Sequence, residues 1–139
     1  MTDGVSGGFL SLVAAAVRVL FRQPRTGAPK LTAFVLGEPV SGGKLEVRAR
    51  VANEGDAGVT IETVLLMVVG REWRRGNVET LRLRSGPTPP FRLDSHDSAQ
   101  WKSTVRLQNW MTERGAKCTL SVYGVGVSAR SEGRIIRRM

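Results

Sequence analysis

The chain is poor in the side chains that do most protein chemistry, having one cysteine and one histidine in 139 residues. Cys118 has no partner for a disulfide within the chain, so nothing demands an oxidising compartment and the fold must be held by its core. One Cys and one His cannot assemble a zinc site of the usual ligand types. Long apolar runs are missing as well: none reaches the roughly 18–20 residues that cross a bilayer as a helix. The first eight residues, MTDGVSGG, carry an Asp and no Lys or Arg, the wrong sign for the basic end of a secretory signal. No P-loop, HExxH, EF-hand or nucleophile-elbow pattern occurs, and Gly124-Val125-Gly126 lacks the third glycine of a dinucleotide fingerprint. These absences predict no catalytic residue, no cofactor, no metal and no small-molecule substrate.

Acidic residues are outnumbered, 12 against 21, giving a formal charge of +9. Most of the cations are arginine. Such a balance suits an acidic protein, anionic lipid or nucleic acid, or plain solubility, and does not select among them.

What is present is the patterning of strands. In Lys44–Asn53, Leu45, Val47, Ala49 and Val51 alternate with Glu46, Arg48 and Arg50, the period-two signature of a strand buried on one face. Asn53-Glu54-Gly55-Asp56-Ala57-Gly58 supplies turn chemistry, with glycines for positive φ. A β-branched run, Val59–Val69, follows, and the pair reads as a hairpin. Around it the pattern predicts a strand over 31–37 with a loop over 38–43, and a strand over 78–84 with Leu81 and Leu83 inward and Arg82 and Arg84 outward. Residues 85–90 break the chain with three prolines. Phe91-Arg92-Leu93 leads to a turn at 94–98, and residues 99–107 form a strand with Trp101, Ser103, Val105 and Leu107 on one face. A single helical turn is expected over 109–115, a central strand over 117–127, a turn over 128–134, and an edge pairing at Ile135-Ile136. About seven short strands at this spacing argue for an antiparallel sandwich.

One segment differs. Residues 9–22, FLSLVAAAVRVLFR, show helical periodicity, with Ser11, Arg18 and Arg22 in a narrow polar stripe. Phe9, Leu10, Val13, Val17, Leu20 and Phe21 lie on a broad apolar face. Ser6 suits the N-cap and Pro24 the stop. The division is therefore an amphipathic helix and basic Pro/Gly linker over 1–30, and a sandwich over 31–139. The helix, with Arg18, Arg22 and Arg25, can rest on an anionic membrane, on a protein partner or a copy of itself, or on the sandwich.

Two further clusters bear on function. Arg71-Glu72-Trp73-Arg74-Arg75 offers Arg71, Arg74 and Arg75 for phosphates and Trp73 for stacking, so it is the candidate anion-binding loop. No nucleic-acid-binding motif accompanies it. Asp94-Ser95-His96-Asp97 has the residue types of a hydrolase triad, but neighbours in one turn do not converge as a triad must.

The run Val51-Ala52-Asn53-Glu54-Gly55, then Val59-Thr60-Ile61-Glu62-Thr63-Val64, resembles a hairpin of small bacterial Ig-like sandwich proteins. Pro90-Phe91-Arg92-Leu93-Asp94-Ser95-His96-Asp97-Ser98-Ala99-Gln100-Trp101 resembles their P-x-x-L-x-x-G-D-S-x-x-W segment, with His96 in place of the usual glycine. The resemblance covers about residues 31–136. It implies an Ig-like sandwich, in some relatives preceded by a short hydrophobic segment, and in others decorating phage particles. The expectation is a mainly β protein: an antiparallel Ig-like sandwich behind one amphipathic N-terminal helix. It would act as a non-enzymatic interaction module in the cytoplasm, tethered by that helix to an anionic membrane surface or to a protein partner. The alternatives are a structural subunit of a phage or bacterial assembly, placed on the virion, and a nucleic-acid-binding domain.

Overall fold

The alternating run Lys44–Asn53 is a strand, and the two sheets of the protein are arranged on either side of its apolar face. The computed structural model describes residues 27–71, 77–113 and 115–136. The expected N-terminal helix, and Trp73, Arg74 and Arg75, lie outside these. Among the described residues eight strands follow in order: β1 Leu31–Val40, β2 Lys44–Asn53, β3 Val59–Val69, β4 Val78–Thr80, β5 Phe91–Leu93, β6 Ser98–Arg106, β7 Lys117–Gly124 and β8 Val127–Arg134. A 3-10 turn, Asn109–Thr112, stands between β6 and β7.

One sheet has the order β1-β2-β6 and the other β4-β3-β7-β8, with β5 also on β3. Every pairing within the two sheets is antiparallel. Leu45, Val47 and Val51 of β2 are fully buried against Ile61, Leu66, Val68, Leu120 and Val122 of the larger sheet. Each such side chain contributes about 1.5–3 kcal/mol by leaving water. The antiparallel sandwich read from the sequence is thus the observed architecture.

Several elements differ from expectation. The run Lys44–Val69 is not a hairpin: β2 lies in one sheet and β3 in the other, so Asn53–Gly58 is a crossing between layers. Asn53 pins that crossing. Its Oδ1 accepts from the N–H groups of Lys30 (3.2 Å) and Gly55 (3.0 Å), and its Nδ2 donates to the carbonyls of Ala57 (2.8 Å) and Leu93 (3.3 Å). Gly55 and Gly58 do not take positive φ. Gly55 is needed for space, since a Cβ there would collide with the Ala28 carbonyl.

The strand β1 runs on to Val40, through Glu38 and Pro39, because a strand at the edge of a sheet tolerates proline. The turn to β2 shrinks to Ser41-Gly42-Gly43, whose glycines have φ of 84° and 69°. The expected 78–84 strand divides. Leu81 N–H donates to Leu66 O in the larger sheet, whereas Arg84 O accepts from Lys102 N–H in the smaller one. Its facing nevertheless follows the sequence pattern: Leu81 is buried, Leu83 half-buried, and Arg82 and Arg84 exposed.

The stretch 128–134 is a strand, not a turn, paired with β7 along its length. Its inward residues are Ala129, Ser131 and Gly133, and a Cβ on Gly133 would collide with the Val35 carbonyl of β1. Small residues there let the two sheets approach closely along that side. The expected 117–127 strand ends at Gly124, where Val125-Gly126 turns the chain into β8. Ile136 N–H donates to Gly37 O at 2.8 Å, giving the edge pairing expected at Ile135-Ile136.

Candidate functional site

The register of β1, β2 and β6 builds a face that no single strand reveals. Opposite partners align Phe34 with Arg50 and Gln100, Leu36 with Arg48 and Lys102, Glu38 with Glu46 and Thr104, and Val40 with Lys44 and Arg106. All of these point away from the core, because their neighbours Val35, Leu45, Val47, Ala49, Ala99 and Trp101 are buried. Five cations on this face, Lys44, Arg48, Arg50, Lys102 and Arg106, stand with two carboxylates, Glu38 and Glu46. Arg84, held against β6 through its backbone, adds a sixth positive charge at that edge.

Glu46 sits in the middle of the cations. Lys102 Nζ is 3.1 Å from its Oε2, and Arg48 donates to its Oε1 at 3.4 Å. The hydrogen bond from Lys102, with the charges of Lys102 and Arg48, holds the Glu46 carboxyl below the usual range against some desolvation. It therefore stays ionised and fixes the direction of both cations. Arg50 is left beside Phe34, which is 57% exposed on the edge strand. Phe34, Leu36, Arg48, Arg50, Gln100 and Lys102 line a shallow depression of about 480 Å³. An exposed aromatic beside guanidinium groups is the composition of an interface hot spot.

The other candidate positions give less. Arg71 is exposed, with its side chain lying over Gly115. The remaining members of that loop, like Phe9, Leu10, Val13, Val17, Arg18, Leu20, Phe21, Arg22 and Arg25, fall outside the described residues. In the turn after β5, the Ser95 hydroxyl donates to Gly55 O at 2.6 Å, and His96 Nε2 is 3.9 Å from Asp56 Oδ1 with both side chains exposed. The backbone carries this turn's role: His96 N–H donates to Asn53 O, and Asn53 N–H to Asp97 O. His96 has a φ of 63°, the left-handed conformation that favours glycine. Cys118 is fully buried, and burial pushes its thiol up to about 12. Among the described residues no group of three or more His, Cys, Asp or Glu side chains could hold a metal, and no helix is long and apolar enough to cross a membrane.

Sequence reasoning placed Glu46, Arg48, Arg50, Lys102 and Arg106 on outward faces but did not join them, and it did not single out Phe34 or Leu36. The joining information is the long-range β2–β6 register, which periodicity within one strand does not contain.

No family model matches the sequence, and no curated protein matches it. Among solved structures the chain is similar to an ApaA protein from Bordetella pertussis, at 15% identity and a TM-score of 0.52, over 82% of this chain and 100% of that one. It is also similar to the CARDB domain of a Pyrococcus furiosus protein, solved with di-metal ions, at 14% identity and a TM-score of 0.44, over 82% of this chain and 95% of that one. The alkylpurine DNA glycosylase AlkC of Pseudomonas fluorescens matches at 12% identity and a TM-score of 0.40, over 75% of this chain but 30% of the glycosylase. At such identities the ApaA likeness shows a shared fold and nothing of activity.

Proposed function

We propose that this chain is a non-enzymatic interaction module whose docking surface is the outer face of the β1-β2-β6 sheet, and that its partner is an acidic protein. The observation that carries this is the convergence of Arg48, Arg50 and Lys102 around the exposed Phe34 and the half-buried Leu36. A protein partner fits the face better than a uniform polyanion does. Glu46 and Glu38 interrupt the positive charge at set register positions, which rewards a partner with charges of both signs. Nucleic acid recognised on a sheet relies on several stacking aromatics, and among the described residues Phe34 is the single aromatic on this face, since Trp101 points inward. Three strands about 4.8 Å apart and about 30 Å long present a few hundred Å², the scale of a transient complex.

The test is an NMR titration of the full-length protein with three probes in about 150 mM salt, where surface charges are screened beyond about 8 Å. The probes are a soluble Glu/Leu/Phe peptide, phosphatidylglycerol vesicles and single-stranded DNA. Saturable shifts with the peptide at Phe34, Leu36, Arg48, Arg50 and Lys102, absent in Arg48→Glu/Arg50→Glu, support the reading. Vesicle or DNA binding at this face without peptide binding overturns it. Flotation with the vesicles that disappears in high salt would instead give the role to a membrane tether over residues 1–30.

A further inference from the structure

Among the described residues, three pairs of cations stand directly opposite one another across neighbouring strands: Arg48 and Lys102, Lys117 and Arg134, and Lys44 and Arg106. Like charges so placed destabilise a sheet unless a negative charge intervenes. For the first pair Glu46 intervenes, at 3.4 Å from Arg48 and 3.1 Å from Lys102. For the second, Glu132 lies 2.9 Å from Lys117 Nζ. Lys44 and Arg106 lack this relief, since among the described residues neither enters an ion pair. Their row ends the outer face of the β1-β2-β6 sheet, next to the turn Ser41-Gly42-Gly43. Both glycines are exposed, and a Cβ on either would meet nothing. Gly43 O accepts from Leu107 N–H at 2.9 Å, which ties that turn to the end of β6. Gly42, Gly43, Lys44, Thr104 and Arg106 line a hollow of about 540 Å³ between them.

We propose that Lys44 and Arg106 seat a single phosphate group, carried on a phosphorylated side chain of the acidic partner. A phosphate monoester brings a charge of about −1.5 to −2 at pH 7, enough to neutralise both cations, where one carboxylate neutralises one. Facing residues have Cβ atoms about 4.5–5.5 Å apart, so an ammonium and a guanidinium close on one tetrahedral group from two sides. The Thr104 hydroxyl stands in the next row on the same face and adds a donor. That row also holds Glu38 and Glu46, so a string of phosphates running along the sheet would meet negative charge, whereas one compact dianion at the end row does not. The choice of a protein to carry the phosphate rests on the docking reading above. The phosphate seat itself rests on the unrelieved pair and the hollow beside it.

The test is an NMR titration of the full-length protein with inorganic phosphate and with acetate, at constant ionic strength and about pH 7.5, where phosphate is mostly a dianion. Phosphate should give saturable shifts at Gly42, Gly43, Lys44 and Arg106, and acetate should not. Binding should weaken about tenfold or more in Lys44→Gln/Arg106→Gln and stay unchanged in Arg130→Gln/Arg134→Gln. The source is tested with the Glu/Leu/Phe peptide, unmodified and with a phosphoserine at either end. One phosphopeptide should bind about tenfold tighter than the unmodified peptide, and that gain should vanish in Lys44→Gln/Arg106→Gln. Phosphate shifts matched by acetate, or spread equally over Arg130 and Arg134, would overturn the seat. Phosphate binding with no gain for either phosphopeptide would overturn the partner as its source. Peptide shifts at Phe34 without phosphate shifts at Lys44 mean failure here alone, and phosphate shifts without peptide shifts mean failure of the docking face.

Discussion

Replacing Asn53 by alanine should be among the most damaging single changes in the described residues, although Asn53 touches no candidate binding group. Its amide makes four hydrogen bonds that hold together the chain before β1, the layer crossing and the end of β5. In Asn53→Ala, the Lys30 N–H and Ala57 O lie near enough to the surface to recruit water. The Gly55 N–H and Leu93 O are buried, and each orphaned group costs about 1–3 kcal/mol. The expected loss is about 3–5 kcal/mol, a large share of the roughly 5–15 kcal/mol by which domains are stable. With a urea slope of about 1.5 kcal/mol per molar, the midpoint should fall by about 2–3 M. A companion variant, Asn53→Asp, keeps the shape but turns a carboxylate toward two carbonyls. Burial and those carbonyls raise its folded pKa, so the folded form keeps a proton that the unfolded chain has released. Its stability should therefore fall as pH rises from the ordinary carboxylate range towards that raised pKa. A loss below about 1 kcal/mol in Asn53→Ala, or a pH-independent defect in Asn53→Asp, would refute the claim that this amide pins the crossing.

Other consequences follow from particular contacts. Gly133→Ala forces a Cβ into the Val35 carbonyl and should cost about 2–4 kcal/mol in chemical denaturation, with an unchanged midpoint counting against close approach of β8 to β1. His96→Gly removes a left-handed non-glycine residue and should stabilise by about 0.5–1 kcal/mol, read as a higher thermal midpoint; a loss would mean that the imidazole contributes more than its backbone conformation costs. Cys118, held near 12 by burial, should resist a thiol reagent at pH 8 and react only at the rate of unfolding; prompt modification of the native protein would contradict its place in the core.

The strands were legible where burial is one-sided. Leu45, Val47, Ala49 and Val51 alternate because one layer covers them, and that alternation fixes both the strand and its facing. The crossing at Asn53 was not legible, because asparagine and glycine serve a hairpin turn and a layer change equally well. The strand Val127–Arg134 was hidden for the opposite reason. Its Ser, Gly and Ala residues have turn-like local preferences, and only the nearness of β1 explains why they must be small. The basic face was visible in its parts, as outward Arg48, Arg50 and Lys102. Bringing them together took the pairing of β2 with β6, some fifty residues later in the chain. Within the strand expected over 31–37, Phe34 is one more apolar residue. Only its outward register marks it as a surface aromatic.

If one face, and not net charge, recognises an acidic partner, reversing charge on that face must matter more than reversing it elsewhere. Calorimetric titration of the Glu/Leu/Phe peptide into three full-length proteins tests it most directly: wild type, Arg48→Glu/Arg50→Glu, and Arg130→Glu/Arg134→Glu on the outer face of the other sheet. Both double variants change the charge of the protein equally. The affinity should fall about tenfold or more in the first pair and almost not at all in the second. Equal losses in the two variants would show attraction to overall charge alone and would contradict it.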